Sequence, residues 1–103
     1  MSEIDFEPLT GLLGIGGSKY ILQLGLINRK WAVRLLNSNF VLDTHIFKDE
    51  EIESDLPKQD VIISWVLRTV AIPNINPFHI SRTVQTLLKQ AKINKNKKSK
   101  DLY

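Results

Sequence analysis

A chain of 103 residues with 14 Lys/Arg, 11 Asp/Glu and no cysteine has the size of one ordinary domain. The missing thiols exclude disulfide frameworks, thiolate metal sites and cysteine nucleophiles. The net charge of +3 is unevenly placed: residues 1–91 hold 9 Lys/Arg and 10 Asp/Glu, whereas residues 92–103 hold five lysines and one aspartate, so the basic character belongs to the C-terminal tail and not to a cationic body.

Residues 1–10 are acidic and contain Pro8; residues 11–18 combine four glycines with Leu12, Leu13 and Ile15. Residues 1–18 therefore read as a loosely held, glycine-rich arm leading into the first strand. The acidic start lacks the positive residues and long apolar run of a signal peptide, and with no cysteine the expected location is cytoplasmic.

Residues 19–27 alternate strictly, with Tyr20, Leu22, Leu24 and Leu26 on one face and Ile21, Gln23, Gly25 and Ile27 on the other. Period two predicts a strand. A second follows at 30–36 and a third at 40–47, separated by the turns Asn28-Arg29 and Asn37-Ser38-Asn39. The connection 48–60 is strongly acidic, with Asp49, Glu50, Glu51, Glu53 and Asp55 before Pro57.

Residues 61–72 are ambiguous. Their length suits a long strand or a helix, but Val61, Ile62, Ile63, Val66, Thr69, Val70 and Ile72 are β-branched, and composition favours a strand. Twelve such residues are too few to span a bilayer as a helix, which needs ~20. Asn76-Pro77 is a helix N-cap followed by proline at the first helical position, and Ile80, Val84, Leu87, Leu88 and Ala91 fall on one stripe, predicting a helix over 77–92. The lysine-rich residues 93–103 carry too little apolar content to pack and are expected to be a disordered tail.

The expected architecture is thus a single α+β domain over residues 1–92: a two-layer unit in which four antiparallel strands (19–27, 30–36, 40–47, 61–72) carry a C-terminal helix (77–92) on one face. The opposite face would present Gln23, Arg34, Leu36, Val41, His45, Phe47, Val66 and Arg68, a mixture too apolar for a purely solvated surface.

Catalytic and cofactor motifs fail on spacing. Gly11 and Gly16 have the separation of a phosphate loop, but Gly17 stands where its lysine belongs and a strand follows instead of a helix. Asp43 and His45 share a strand face, yet one Asp-x-His is more often a pair of ordinary boundary residues than a metal or proton-transfer site. The acidic run 49–55 lacks the order of a calcium loop. The expectation is a protein without enzymatic activity, cofactor, metal or small-molecule ligand. It would bind a partner protein or a second copy of itself through the apolar-plus-arginine sheet face or a free strand edge. Nucleic acid is the alternative partner, held by the sheet face and by Lys92, Lys95, Lys97, Lys98 and Lys100 of the tail. No membrane association is expected.

Overall fold

The computed structural model describes residues 8–72 and 75–101, the last seven of these as backbone only. The fold is α+β. Strands β1 (Leu9–Ile15), β2 (Ser18–Ile27), β3 (Lys30–Asn37) and β4 (Phe40–Ile46) form an antiparallel meander in the order β1-β2-β3-β4. A 3-10 turn (Asp49–Glu51) leads into a two-residue ribbon, β5 (Ile52–Glu53) with β6 (Leu56–Pro57). Helices α1 (Gln59–Val70) and α2 (Pro77–Asp101) complete the chain.

The three alternating segments fold as their pattern dictates. Each hairpin turn has two residues, and three of them show positive φ at both: Gly16 and Gly17 sit at φ +57° and +81°, Asn28 and Arg29 at +52° and +69°, Ser54 and Asp55 of the short ribbon at +56° and +68°. Positive φ at both central positions matches the right-handed twist of the flanking strands. Asn28 tolerates this region; Arg29 adopts it against its Cβ.

The fourth strand comes from an unexpected place. The glycine-rich residues expected to be a loose arm instead form β1, paired with β2 from Leu9↔Leu24 to Ile15↔Ser18. Leu13 and Ile15 are buried, and Gly11 lets the strand approach α2, since a Cβ there would lie 2.7 Å from Thr83 Cγ2. Residues 1–7 of the expected arm lie outside the described residues.

Residues 61–72 are the corresponding correction. They are not the fourth strand; most of them belong to α1. Asp60, Ser64 and Arg68 are exposed at intervals of four, while Ile62, Trp65 and Val66 are buried beneath the sheet. Burial of that apolar stripe outweighs the few tenths of a kcal/mol per residue by which β-branching disfavours a helix. Ala71 ends α1 in the left-handed region (φ +55°), its N–H bonded to Leu67 O at 3.1 Å.

Helix α2 starts as expected: Asn76 Oδ1 accepts the N–H of Phe78 at 3.0 Å. It then runs to Asp101, beyond the expected end at 92. Ile80, Val84, Leu87 and Ala91 are buried from it. With Leu13, Tyr20, Leu22, Leu24, Val33, Leu35, Phe47, Ile62, Trp65 and Val66 they form one core between the sheet and the two helices.

A bulge resets β4. Pairing with β3 runs Asn37↔Phe40 and Leu36↔Val41, then resumes at Leu35↔Asp43, leaving Leu42 unmatched. One extra residue inverts the alternation of everything after it. Val41 therefore shares a face with Leu36, whereas Asp43, His45 and Phe47 turn to the helix-covered side. Phe40, Leu42 and Ile46, the large apolar residues of β4, are all exposed.

Candidate interaction surface

Register assembles the uncovered face in rows. The pairings Leu12↔Ile21, Ile21↔Leu36 and Leu36↔Val41 lay four large apolar side chains across the sheet. The next row is polar: Thr10↔Gln23, Gln23↔Arg34 and Arg34↔Thr44. Beyond it lie the small residues Gly25 and Ala32 with Ile46, and then Ile27 opposite Lys30. Rows on one face are two residues apart, about 6.6 Å.

Gly25 and Ala32 are buried, but Leu12, Ile21, Leu36, Val41, Ile46 and Ile27 lie outside the core cluster. Leu12 keeps 69% of its surface, Val41 48% and Ile46 48%. An exposed apolar surface of this continuity, rimmed by charge, is the usual mark of a binding site. Its charged residues are Lys19 at one end, Arg34 in the middle and Lys30 at the other. No described residue on the face is acidic. The Arg34 guanidinium is oriented by Gln23, whose Oε1 accepts from Nη2 at 2.8 Å and from Nε at 3.2 Å. This neutral acceptor fixes the orientation of the guanidinium fork on the sheet.

Of the eight residues expected on this face, Gln23, Arg34, Leu36 and Val41 are there. The other four are elsewhere. His45 and Phe47 lie on the covered side because of the bulge, with Phe47 in the core. Val66 is fully buried and Arg68 exposed, both on α1 and not on the sheet. Lys92 is exposed on α2; the side chains of Lys95, Lys97, Lys98 and Lys100 lie outside the described residues. Sequence reasoning passed over Lys19, Lys30 and Leu12. The two lysines were legible, being in phase with Gln23 and Arg34 respectively. Leu12 was not, because β1 itself was read as loop.

The two sheet edges differ. Outward backbone groups of β1 are taken by α2: Thr83 Oγ1 donates to Leu12 O at 3.3 Å, and Gly14 N–H donates to His79 Nε2 at 3.4 Å. On β4, Asp43 Oδ1 accepts the N–H of Thr44 at 2.9 Å, so the carboxylate occupies one edge donor. This is the fate of the Asp43/His45 pair. Asp43 serves its own strand, while His45 Nε2 meets Glu51 Oε1 at 3.1 Å and its ring stands edge-on to Phe47, centroids 4.9 Å apart. Glu51 Oε1 also accepts the backbone N–H of Lys48 at 2.9 Å, and mainly this bond, helped by His45, holds the carboxyl below the ordinary glutamate range. The cluster fastens the acidic connection to the end of β4.

The glycine loop is a hairpin turn and not a phosphate cradle. It borders an open cleft of about 260 Å³ lined by Gly14, Ile15, Gly16, Ile72, Ile75, Asn76, His79 and Ile80. Among the described residues no group of three His, Asp or Glu side chains is placed to hold a metal ion, and no helix is long and apolar enough to cross a membrane.

No protein-family model matches the chain, and it matches neither a curated protein nor a solved structure.

Proposed function

We propose that this domain is a non-catalytic protein-interaction module whose working surface is the uncovered sheet face. The observation that carries this reading is the row Leu12–Ile21–Leu36–Val41, four large apolar side chains outside the core cluster, with Leu12 and Val41 strongly exposed. Both histidines hold backbone or loop in place, which favours a binding over a catalytic reading. Lys19 and Lys30, with no described acid on the face, disfavour pairing with an identical face, since like charges would meet. A different partner suits it better than a second copy. Nucleic acid suits it less, because no described residue of the face is an aromatic on which a base could stack.

The test is partner recovery from the source cell by the full chain and by a Leu36→Glu, Val41→Glu variant, with sedimentation velocity for self-association. The expected result is loss of recovery by about tenfold or more. The thermal midpoint should barely move, because exposed substitutions usually stay within about 0.5 kcal/mol. Replacing Lys95, Lys97, Lys98 and Lys100 by Gln should leave recovery intact. Unchanged recovery in the sheet-face variant refutes the reading.

A further inference from the structure

The two edges of the sheet are finished differently. α2 closes the β1 edge through Thr83 and His79, whereas among the described residues no strand pairs with the outer edge of β4. An open edge is a row of backbone donors and acceptors for another strand, and lysine or proline is the usual means of blocking it. β4 contains neither, and Phe40, Val41, Leu42 and Ile46 are all exposed on it. The bulge is confined to Leu42, so residues 43–46 pair regularly with β3. Phe47 N–H donates inward to Trp31 O at 2.9 Å, and alternation therefore aims the backbone groups of Thr44 and Ile46 outward. Within one chain, the Thr44 N–H is taken by its neighbour's side chain, Asp43 Oδ1.

The sequence of this edge is complementary to itself. A two-fold axis perpendicular to the sheet pairs two copies antiparallel about one centre and keeps each face on its own side. Centred on Asp43, it sets carboxylate against carboxylate. Centred on His45, it sets Asp43 against Phe47 of the second copy, an apolar ring. Centres at Val41 or Leu42 run through the bulge, and one at Ile46 carries half the pairing beyond the end of the strand. Centred on Thr44, the two Thr44 residues exchange N–H···O=C bonds at the axis. Asp43 then lies opposite His45 of the second copy, and Leu42 opposite Ile46. An acid facing an imidazole and aliphatics facing each other are cross-strand pairs that stabilise a sheet. The carboxylate that holds Thr44 N–H in the single chain is released toward a ring that Glu51 already fixes.

We propose that two copies of this chain pair edge to edge through β4, antiparallel about Thr44, and join their sheets into one of eight strands. The helices lie on one side of that sheet and the two open faces on the other. This goes beyond the face reading and does not oppose it. Like charges keep two faces from stacking, whereas edge pairing sets the faces side by side. One short strand makes a small seam, so the dimer forms on concentration and dissociates on dilution.

The experiment is sedimentation velocity of the full chain over a range of concentrations, joined to site-directed crosslinking. The chain has no cysteine, so a single introduced thiol reports one position. Two Cα atoms of a hydrogen-bonded antiparallel pair lie about 5.5 Å apart, within reach of a disulfide, so Thr44→Cys should form a covalent dimer under mild oxidation. Phe40→Cys, exposed on the same strand but about 27 Å from its copy, should not. Thr44→Pro removes an outward N–H and no bond to β3, and should weaken the dimer about tenfold or more with circular dichroism unchanged. Leu36→Glu, on β3, should leave the dimer intact. A chain monomeric at every concentration, crosslinking at Phe40 as fast as at Thr44, or a dimer untouched by a folded Thr44→Pro overturns the proposal. Should Thr44→Pro fail to fold, the two cysteine variants decide. If the chain is monomeric while Leu36→Glu, Val41→Glu still abolishes partner recovery, this inference falls and the face reading stands.

Discussion

At Gly11 the sheet lies close against α2, and Gly11→Ala measures how rigid that contact is. The added Cβ would lie 2.7 Å from Thr83 Cγ2, and 3.4 and 3.5 Å from the two Leu87 methyl groups. Carbon atoms in good contact lie about 3.5–4.0 Å apart, so Leu87 barely has to move, whereas Thr83 must yield by roughly 1 Å. It cannot do so by rotation without loss: its side chain is β-branched, and its Oγ1 donates to Leu12 O. Overpacking of this kind costs about 1–3 kcal/mol. Removing a glycine from the unfolded chain returns about 0.4–1 kcal/mol. The net expectation is a destabilisation of about 1 kcal/mol, a fall of about 4–8 °C in Tm for a domain of this size. Thr83→Ser deletes Cγ2 and keeps the hydroxyl, so the double variant should recover most of the loss. The assay is thermal and urea unfolding of the four proteins of the cycle, followed by circular dichroism. A Gly11→Ala protein as stable as wild type, or a loss that Thr83→Ser does not relieve, refutes close packing of β1 on α2 as the reason for glycine here.

Two further outcomes follow from backbone and charge. Arg29 holds φ +69° in a two-residue turn after Asn28, so Arg29→Gly should stabilise the domain by about 0.5–1 kcal/mol in urea unfolding, and an unchanged or lower midpoint counts against that turn. The Glu51 carboxyl is held below its ordinary value by Lys48 N–H and His45, so its ionised form is favoured in the folded state. Its contribution is therefore present above the unfolded-state pKa of about 4.3 and is lost as pH falls through the lower folded value. Glu51→Gln should accordingly lower stability at pH 7 and converge on wild type in strongly acidic buffer. A gap that widens on acidification refutes the assignment.

What was legible in the sequence follows the strength of each local signal. Segments 19–27 and 30–36 alternate without interruption, and both formed strands whose two faces divide as read. The helix start at Asn76-Pro77 is equally local, because the cap is made within two residues of the chain. β1 escaped because Gly11 and Gly14 occupy positions where side chains would have shown the alternation. One of them is glycine for a contact with α2, 72 residues away at Thr83, which no local window contains. α1 escaped because β-branched composition spoke louder than the period-four spacing of Asp60, Ser64 and Arg68, although that spacing alone separates a one-sided helix from a buried strand.

The bulge at Leu42 has the largest functional consequence, because it decides which half of β4 faces out. Without it His45 and Phe47 would join Arg34 on the open face, giving that face an aromatic ring and a titratable group, the furniture of a single-strand nucleic-acid platform. With it, both are drawn to the covered side, where Phe47 enters the core and His45 ties down the acidic connection through Glu51. Among the described residues, what remains outside is aliphatic, polar and cationic. The same single inserted residue both brings Phe47 into the core and takes its ring off that face. One register shift, between Leu35 and Leu36, thus decides which face His45 and Phe47 join, and deleting Leu42 is the change that should turn them to the side of Arg34 if the shortened strand still pairs.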